Sequence, residues 1–142
     1  MPKTAVTPVP ERIILDTHTL LWWLGGSDRL SSPASDAIES ASVVAVSSVS
    51  FWEVGMLVAK GRVDLDRPVV GWAHDLVASG EVTDVAVDAT IAARAATFDD
   101  FHGDPADRFI AATAVQLDAL LLTKDRALTS WAGESGRLRT LW

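Results

Sequence analysis

The chain has 142 residues, a length that suits one domain, and its 49% apolar and 22% charged content is a globular mixture rather than a disordered one. Twelve basic residues against nineteen acidic ones leave a net charge of −7, which argues against nucleic-acid binding through the surface as a whole but leaves room for a local basic patch. Cysteine is absent, which excludes disulfides, thiolate metal sites and a cysteine nucleophile.

No apolar run approaches the roughly 18 residues of a membrane span. The N-terminal stretch carries Pro2, Pro8 and Pro10 and no apolar core of a secretory signal. Residues 1–11 are expected to form a flexible arm, residues 12–142 one domain, and the protein to be cytoplasmic.

In chain order, Arg12-Ile-Ile-Leu-Asp16 reads as a buried strand closed by an acid. His18 to Leu24 reads as a helix stopped by Gly25-Gly26. Ser32-Pro33 signals a helix start, with Ser as N-cap and Pro at the first helical position, running to about Ala41. Ser42 to Val46 is β-branched and predicts a second strand, followed by a helix from about Ser50 to Lys60 that Gly61 ends. Asp66 is expected to cap a helix from Pro68 to Ser79. Val82 to Val87 predicts a strand, and Asp88 a cap for a helix from Ala89 to Phe98. A loop, 99–103, leads to Asp104-Pro105, the clearest helix start in the chain, with its helix running to about Asp118. Ala119 to Thr123 is an apolar strand, Lys124 to Trp131 a short helix, and Arg137 to Leu141 a last strand. Alternating strands and helices predict a three-layer α/β/α sandwich around a mostly parallel sheet.

In such a sheet, function collects at the carboxyl edge of the strands. Asp16 ends the first strand, and Glu53 is placed in the first turn of the helix after the second. A helix that precedes a parallel strand starts at the same edge, which brings in Asp104 and Asp107. Asp125 follows the strand 119–123 by two residues. Carboxylates gathered in one place repel, and a hard cation relieves this; an oxygen-only donor set selects Mg²⁺ or Mn²⁺. Such an ion can activate water and stabilise charge on a phosphoryl group, so metal-dependent phosphodiester hydrolysis is the chemistry implied. Each acid also has a plainer use. Asp104 and Asp125 suit helix caps, and Asp107 suits the positive end of a helix dipole. Asp16 and Glu53 lie in apolar surroundings where a charge needs a partner. His18, His74 and His102 are scattered and read as structural or exposed.

At these residues the chain resembles the PIN-domain ribonucleases, and more closely the VapC-type toxins of bacterial toxin–antitoxin pairs. Four stretches carry the resemblance: Ile14-Leu-Asp-Thr-His-Thr-Leu-Leu-Trp22, Ser47-Ser-Val-Ser-Phe-Trp-Glu-Val54, Asp104-Pro-Ala-Asp-Arg-Phe-Ile-Ala-Ala-Thr-Ala114 and Leu121-Leu-Thr-Lys-Asp125. They fall in order across residues 12–142. The resemblance implies a PIN-like fold, endonucleolytic RNA cleavage, Mg²⁺ or Mn²⁺, a VapB-type antitoxin, and assembly as a homodimer or a hetero-oligomer with that antitoxin. Carried over by motif, the catalytic and metal-ligating acids are Asp16, Glu53, Asp107 and Asp125, with Asp104 a further ligand or only a cap.

Other readings fit less well. A receiver domain needs a second acid beside Asp16, where Thr17 stands; a haloacid-dehalogenase phosphatase needs one at His18; a dinucleotide-binding domain needs a glycine-rich turn after the first strand. A non-catalytic PIN-like module that binds RNA or protein is the remaining alternative. RNA calls for positive charge. Residues 120–142 hold Lys124, Arg126, Arg137 and Arg139 against Asp125 and Glu134, a local excess of +2. Arg108, Lys124 and Arg126 adjoin the proposed acids and are the expected phosphate contacts. Trp22 and Trp23 point about 100° apart on a helix, so one is expected in the core and the other in an apolar groove that anchors a partner.

Overall fold

The computed structural model describes residues 11–142 apart from His102. Five strands, β1 (Arg12–Leu15), β2 (Val43–Ser47), β3 (Thr83–Val85), β4 (Leu120–Leu122) and β5 (Thr140–Leu141), form one sheet in the order β3-β2-β1-β4-β5. Every pairing is parallel, with Ile14 opposite Ala45 on one side and Leu121 on the other. Among the described residues seven helices connect and cover the strands: α1 (Thr17–Leu24), α2 (Ser32–Ser40), α3 (Ser48–Ala59), α4 (Val69–Ala78), α5 (Ala89–Ala96), α6 (Pro105–Leu117) and α7 (Arg126–Ser135). The α/β/α class expected from the sequence is the one observed.

Residues of β1 alternate between two cores. Ile14 joins Ala45 and Leu121 with residues of α5, α6 and α7, including Ile91, Ile110 and Trp131. Ile13 and Leu15 join Val46 and Leu122 with Leu20, Ala34, Ile38 and Leu76 of α1, α2 and α4. A central parallel strand buried on both faces needs this unbroken apolar run, because each successive side chain enters a different layer. The Trp131 ring meets Phe98 at 4.5 Å and Phe101 at 5.7 Å between centroids.

Several element boundaries differ from expectation, each for a local reason. The cap of α2 is Ser31, whose hydroxyl accepts from the Ala34 amide, so Pro33 falls one place further in. Asp66 caps nothing; its two oxygens accept from the neighbouring Arg67 guanidinium, and Pro68 precedes α4 without a side-chain bond. Asp88 does cap α5, accepting from the Ile91 amide at 2.9 Å. Helix α7 starts at Arg126 and runs through Gly133 to Gly136, whose φ of 66° ends it, rather than stopping at Trp131. The expected arm lies outside the described residues except for Glu11. That residue accepts from the Ser42 amide at 3.2 Å and pairs with Arg139 at 3.0 Å.

Trp131 is 5% exposed and wedged between the two phenylalanines. Trp131→Ala should lower unfolding free energy by about 3–5 kcal/mol, measured by denaturant titration.

Candidate active site

The sheet order places β1 between β2 and β4, and the chain leaves β1 for β2 on one side but reaches β4 on the other only after β3. A crevice opens at the carboxyl ends of the strands where connections diverge in this way. There the structure has a cavity of about 330 Å³ lined by Asp16, Glu53, Asp104, Asp107 and Asp125 together with Thr17, His18, Trp22 and Lys124. All five acids singled out from the sequence thus face one space.

Three of them are helix caps as well. Asp16 caps α1, with Oδ1 accepting from the Thr19 amide at 2.9 Å. Asp104 caps α6, with Oδ1 accepting from the Asp107 amide at 2.8 Å. Asp125 caps α7, with Oδ1 accepting from the Leu128 amide at 3.0 Å. A cap bond occupies one carboxylate oxygen and fixes the rotamer, leaving the second oxygen for other work. The capping use and the cavity-lining use are therefore compatible. The positive ends of these helices also ease the gathering of negative charge.

Hydroxyls do the remaining positioning. Asp16 is 7% exposed, and its Oδ2 accepts from Thr123. The Thr123 oxygen in turn accepts from the Asp125 amide at 3.0 Å, so one threonine links the ends of both acid-bearing segments. Thr17 donates its single proton to Glu53, so the Ser50 hydroxyl, 3.0 Å away, supplies its own proton to Thr17. Glu53 is the sixth residue of α3, because the helix begins at Ser48; it sits in the second turn, not the first.

Burial raises the Glu53 carboxyl above its ordinary range, with Thr17 opposing the shift and Asp104 and Asp16 adding to it. Burial, then the charges of Asp104, Asp125, Glu53 and Asp16, push Asp107 up to about 8. Among the described residues no three acids or histidines form a preformed metal cluster; the carboxylates ring the cavity wall. As a donor set they are all oxygen, which is the chemistry of a hard divalent cation.

The expected phosphate contacts divide. Lys124 is exposed and lines the cavity. Arg126 is exposed at the first position of α7 and is not among the lining residues. Arg108 is turned away: its guanidinium donates to the Ala95 and Phe101 carbonyls, each at 2.9 Å, and lies 5.7 Å from the Phe101 ring centre. It holds the α5–α6 connection, so its place beside Asp107 in sequence did not mean a place in the cavity. Successive helical residues point about 100° apart, which is enough to separate the two.

Four residues in or just behind the cavity wall have roles that the sequence does not display. Thr17, Thr123 and Ser50 act through contacts 33 to 107 residues away, which spacing does not display. His18 is exposed, as expected, and also lies on the cavity rim. Its ring stacks on Trp22 at 5.8 Å and 19°, four residues on along the same helix face. Trp22 also meets Trp142 edge-on at 5.5 Å. Trp23 packs against the α1–α2 core. Trp23 thus takes the expected core side, whereas Trp22 stands on the wall of the acidic cavity rather than in an apolar groove.

Fold and site together define an α/β protein with an acidic crevice at the switch point of a parallel sheet. The family model for the PIN domain matches residues 13–133. Ribonuclease VapC22 of Mycobacterium tuberculosis is 40% identical over 119 residues, which is 83% of this chain and 90% of that protein. Among solved structures, DNA-bound VapBC from Salmonella typhimurium superposes with a TM-score of 0.64 at 16% identity, over 92% of this chain and 97% of the other. A toxin–antitoxin complex from Klebsiella pneumoniae gives 0.60 at 20% identity, over 92% and 96%. The chain belongs to the PIN-domain family.

The raised Asp107 carboxyl sets a sign for stability. Between about pH 4 and 8 the folded metal-free protein holds a proton that the unfolded chain has released. Metal-free protein should lose stability as pH rises through that window, and Asp107→Asn should flatten the trend. Thermal melts across pH in chelator check both.

Proposed function

We propose that this PIN-domain protein is a metal-dependent endoribonuclease, the toxin of a toxin–antitoxin pair, with Asp16, Glu53, Asp107 and Asp125 as its catalytic and metal-holding acids and Asp104 as a helix cap that can add a further oxygen. The observation that carries the reading is the convergence of five carboxylates from four separate segments on one cavity. The relative at 40% identity, named a ribonuclease, supports RNA as substrate. The structural neighbours, a toxin–antitoxin complex and a DNA-bound VapBC, support a VapB-type antitoxin as partner.

The donor set fits Mg²⁺ or Mn²⁺. An Mg²⁺ ion keeps several waters and takes only one or two carboxylates directly, which suits acids spread around a wall better than a tight cluster would. When bound, the ion would lower the pKa of attacking water and offset charge on the phosphoryl oxygens. The protein's own part is orientation. Asp16 is locked by the Thr19 amide and Thr123, and Glu53 by Thr17, so both present fixed oxygens rather than a spread of rotamers. Asp107 sits one helical turn inside the Asp104 cap and shares its side of α6. Lys124 stands on the wall where a substrate phosphate approaches the acids. In the reaction a bond forms from the water oxygen to phosphorus as the phosphorus–oxygen bond to one ribose breaks; one proton of the water ends on the departing ribose oxygen as a hydroxyl and the other leaves the new phosphate to solvent.

Purified protein should cleave RNA with added Mg²⁺ or Mn²⁺ and stop in chelator; full activity in chelator would falsify the assignment. Asp16→Asn should abolish cleavage while the protein still melts cooperatively. Thr17→Val, which frees Glu53 without removing it, should cost about 10–100-fold, the range for losing the partner of a ligand. Asp104→Ser should keep both helix and most activity, because serine also caps.

A further inference from the structure

A second groove, about 360 Å³, opens beside the acidic cavity and shares His18, Glu53 and Asp104 with it. Its far end is built from Trp52, Met56, Lys60 and Arg62. Trp52, Met56 and Lys60 are spaced i, i+4, i+8, so they follow one face of α3 over about 12 Å of its axis. Trp52 is 61% exposed, the only exposed residue among the described tryptophans and phenylalanines. Lys60 and Arg62 are exposed and take part in none of the ion pairs among the described residues.

The turn that carries these cations is fastened. Lys60, Gly61 and Arg62 donate their amides to Met56, Val58 and Leu57, with Gly61 at φ 70°. The backbone that carries the two charges is thus fixed at the end of α3 rather than part of a loose loop. In a chain of net charge −7, two unpaired cations beside a bare indole are a local reversal of the surface.

We infer that this groove is a subsite for single-stranded RNA next to the cleaved phosphate, with Trp52 stacking an unpaired base and Lys60 and Arg62 holding the following phosphates. The inference rests on the ribonuclease reading. An aromatic platform combined with a basic track is how single strands are bound without base readout, and a base within a duplex has no free face to offer an indole. Polarity along the groove agrees. Carboxylates stand at the end where the reacting phosphate needs a cation, and positive side chains stand where flanking phosphates do not. Leu57, Pro105 and Ala106 complete the apolar part of the lining, but charge stands at both ends of the groove, which suits a charged single strand better than the apolar face of a helix.

The test is a steady-state comparison of parent, Trp52→Ala, Trp52→Phe, Lys60→Ala and Arg62→Ala on a fluorescein-labelled single-stranded RNA of mixed sequence in Mg²⁺, with anisotropy binding of the same RNA. Trp52→Ala should raise KM and Kd about tenfold with kcat unchanged, and Trp52→Phe should restore most of the loss. Each cation removed should lower the slope of log affinity against log salt by about 0.7. Unchanged KM, Kd and salt slope in all four variants overturn the subsite. So does a Trp52→Ala variant that binds RNA normally but loses affinity for the antitoxin, which would make the groove a protein surface. If the parent fails to cleave RNA, the nuclease reading falls, and the anisotropy series still decides whether the groove binds single strands.

Discussion

Asp16 accepts one hydrogen bond from its own helix and one from a threonine 107 residues away, and the rest of the site is arranged around that pair of contacts. A carboxylate at 7% exposure carries a desolvation cost that only well-aimed donors offset. Meeting the requirement at the end of β1 joins the central strand, the first turn of α1 and the end of β4. The Asp16 amide adds a bond to the Leu122 carbonyl at 3.3 Å, and the Thr19 hydroxyl another at 3.0 Å. Asp125 then emerges two residues past Thr123, held to the same hydroxyl. The acids of two distant segments are tied into one hydrogen-bonded unit.

Helix capping and site construction are often weighed as rival explanations for an acid. Here they cooperate. Each capping aspartate gives one oxygen to its helix and gains a fixed direction in return. The helix dipole lessens the repulsion that five neighbouring carboxylates create. Asp107 has no such cap role for its own side chain. It is half-buried among four other negative groups, and its carboxyl shows the strain most strongly, reaching about 8. The protein tolerates a charge arrangement that is unfavourable by itself because the surrounding elements fix it.

Much of this was legible in the sequence because it is local. Ile13-Ile14-Leu15, a short apolar run closed by an acid, reads as a strand buried on both faces, and Asp104-Pro105 places a helix start to the residue. Parallel topology then forces strand ends and helix starts to one edge, which is why the five acids named from the sequence line one cavity. What was not legible depends on direction or distance. Arg108 adjoins Asp107 but points to the α5–α6 connection. Asp66 looked like a cap until Arg67 took both its oxygens. Glu53 moved a turn because Ser47, not a residue nearer Ser50, accepts the capping bond that starts α3. Thr17, Thr123 and Ser50 are ordinary hydroxyls in sequence and become specific only once their partners fold against them.

Helix α6 begins with the two acids of the third motif and continues through Ala111, Ala112 and Ala114, each almost wholly buried. Small side chains there let the helix lie close to its neighbours in the core, so the thickness of that layer decides how deep Asp104 and Asp107 sit in the cavity. The alanines act as shims under a lever. A methyl or two added at Ala111 would change no functional group and touch no substrate, yet it would lift the acid-bearing end of the helix. In this protein the tolerance of the core and the geometry of the site are one property, set several residues from any carboxylate.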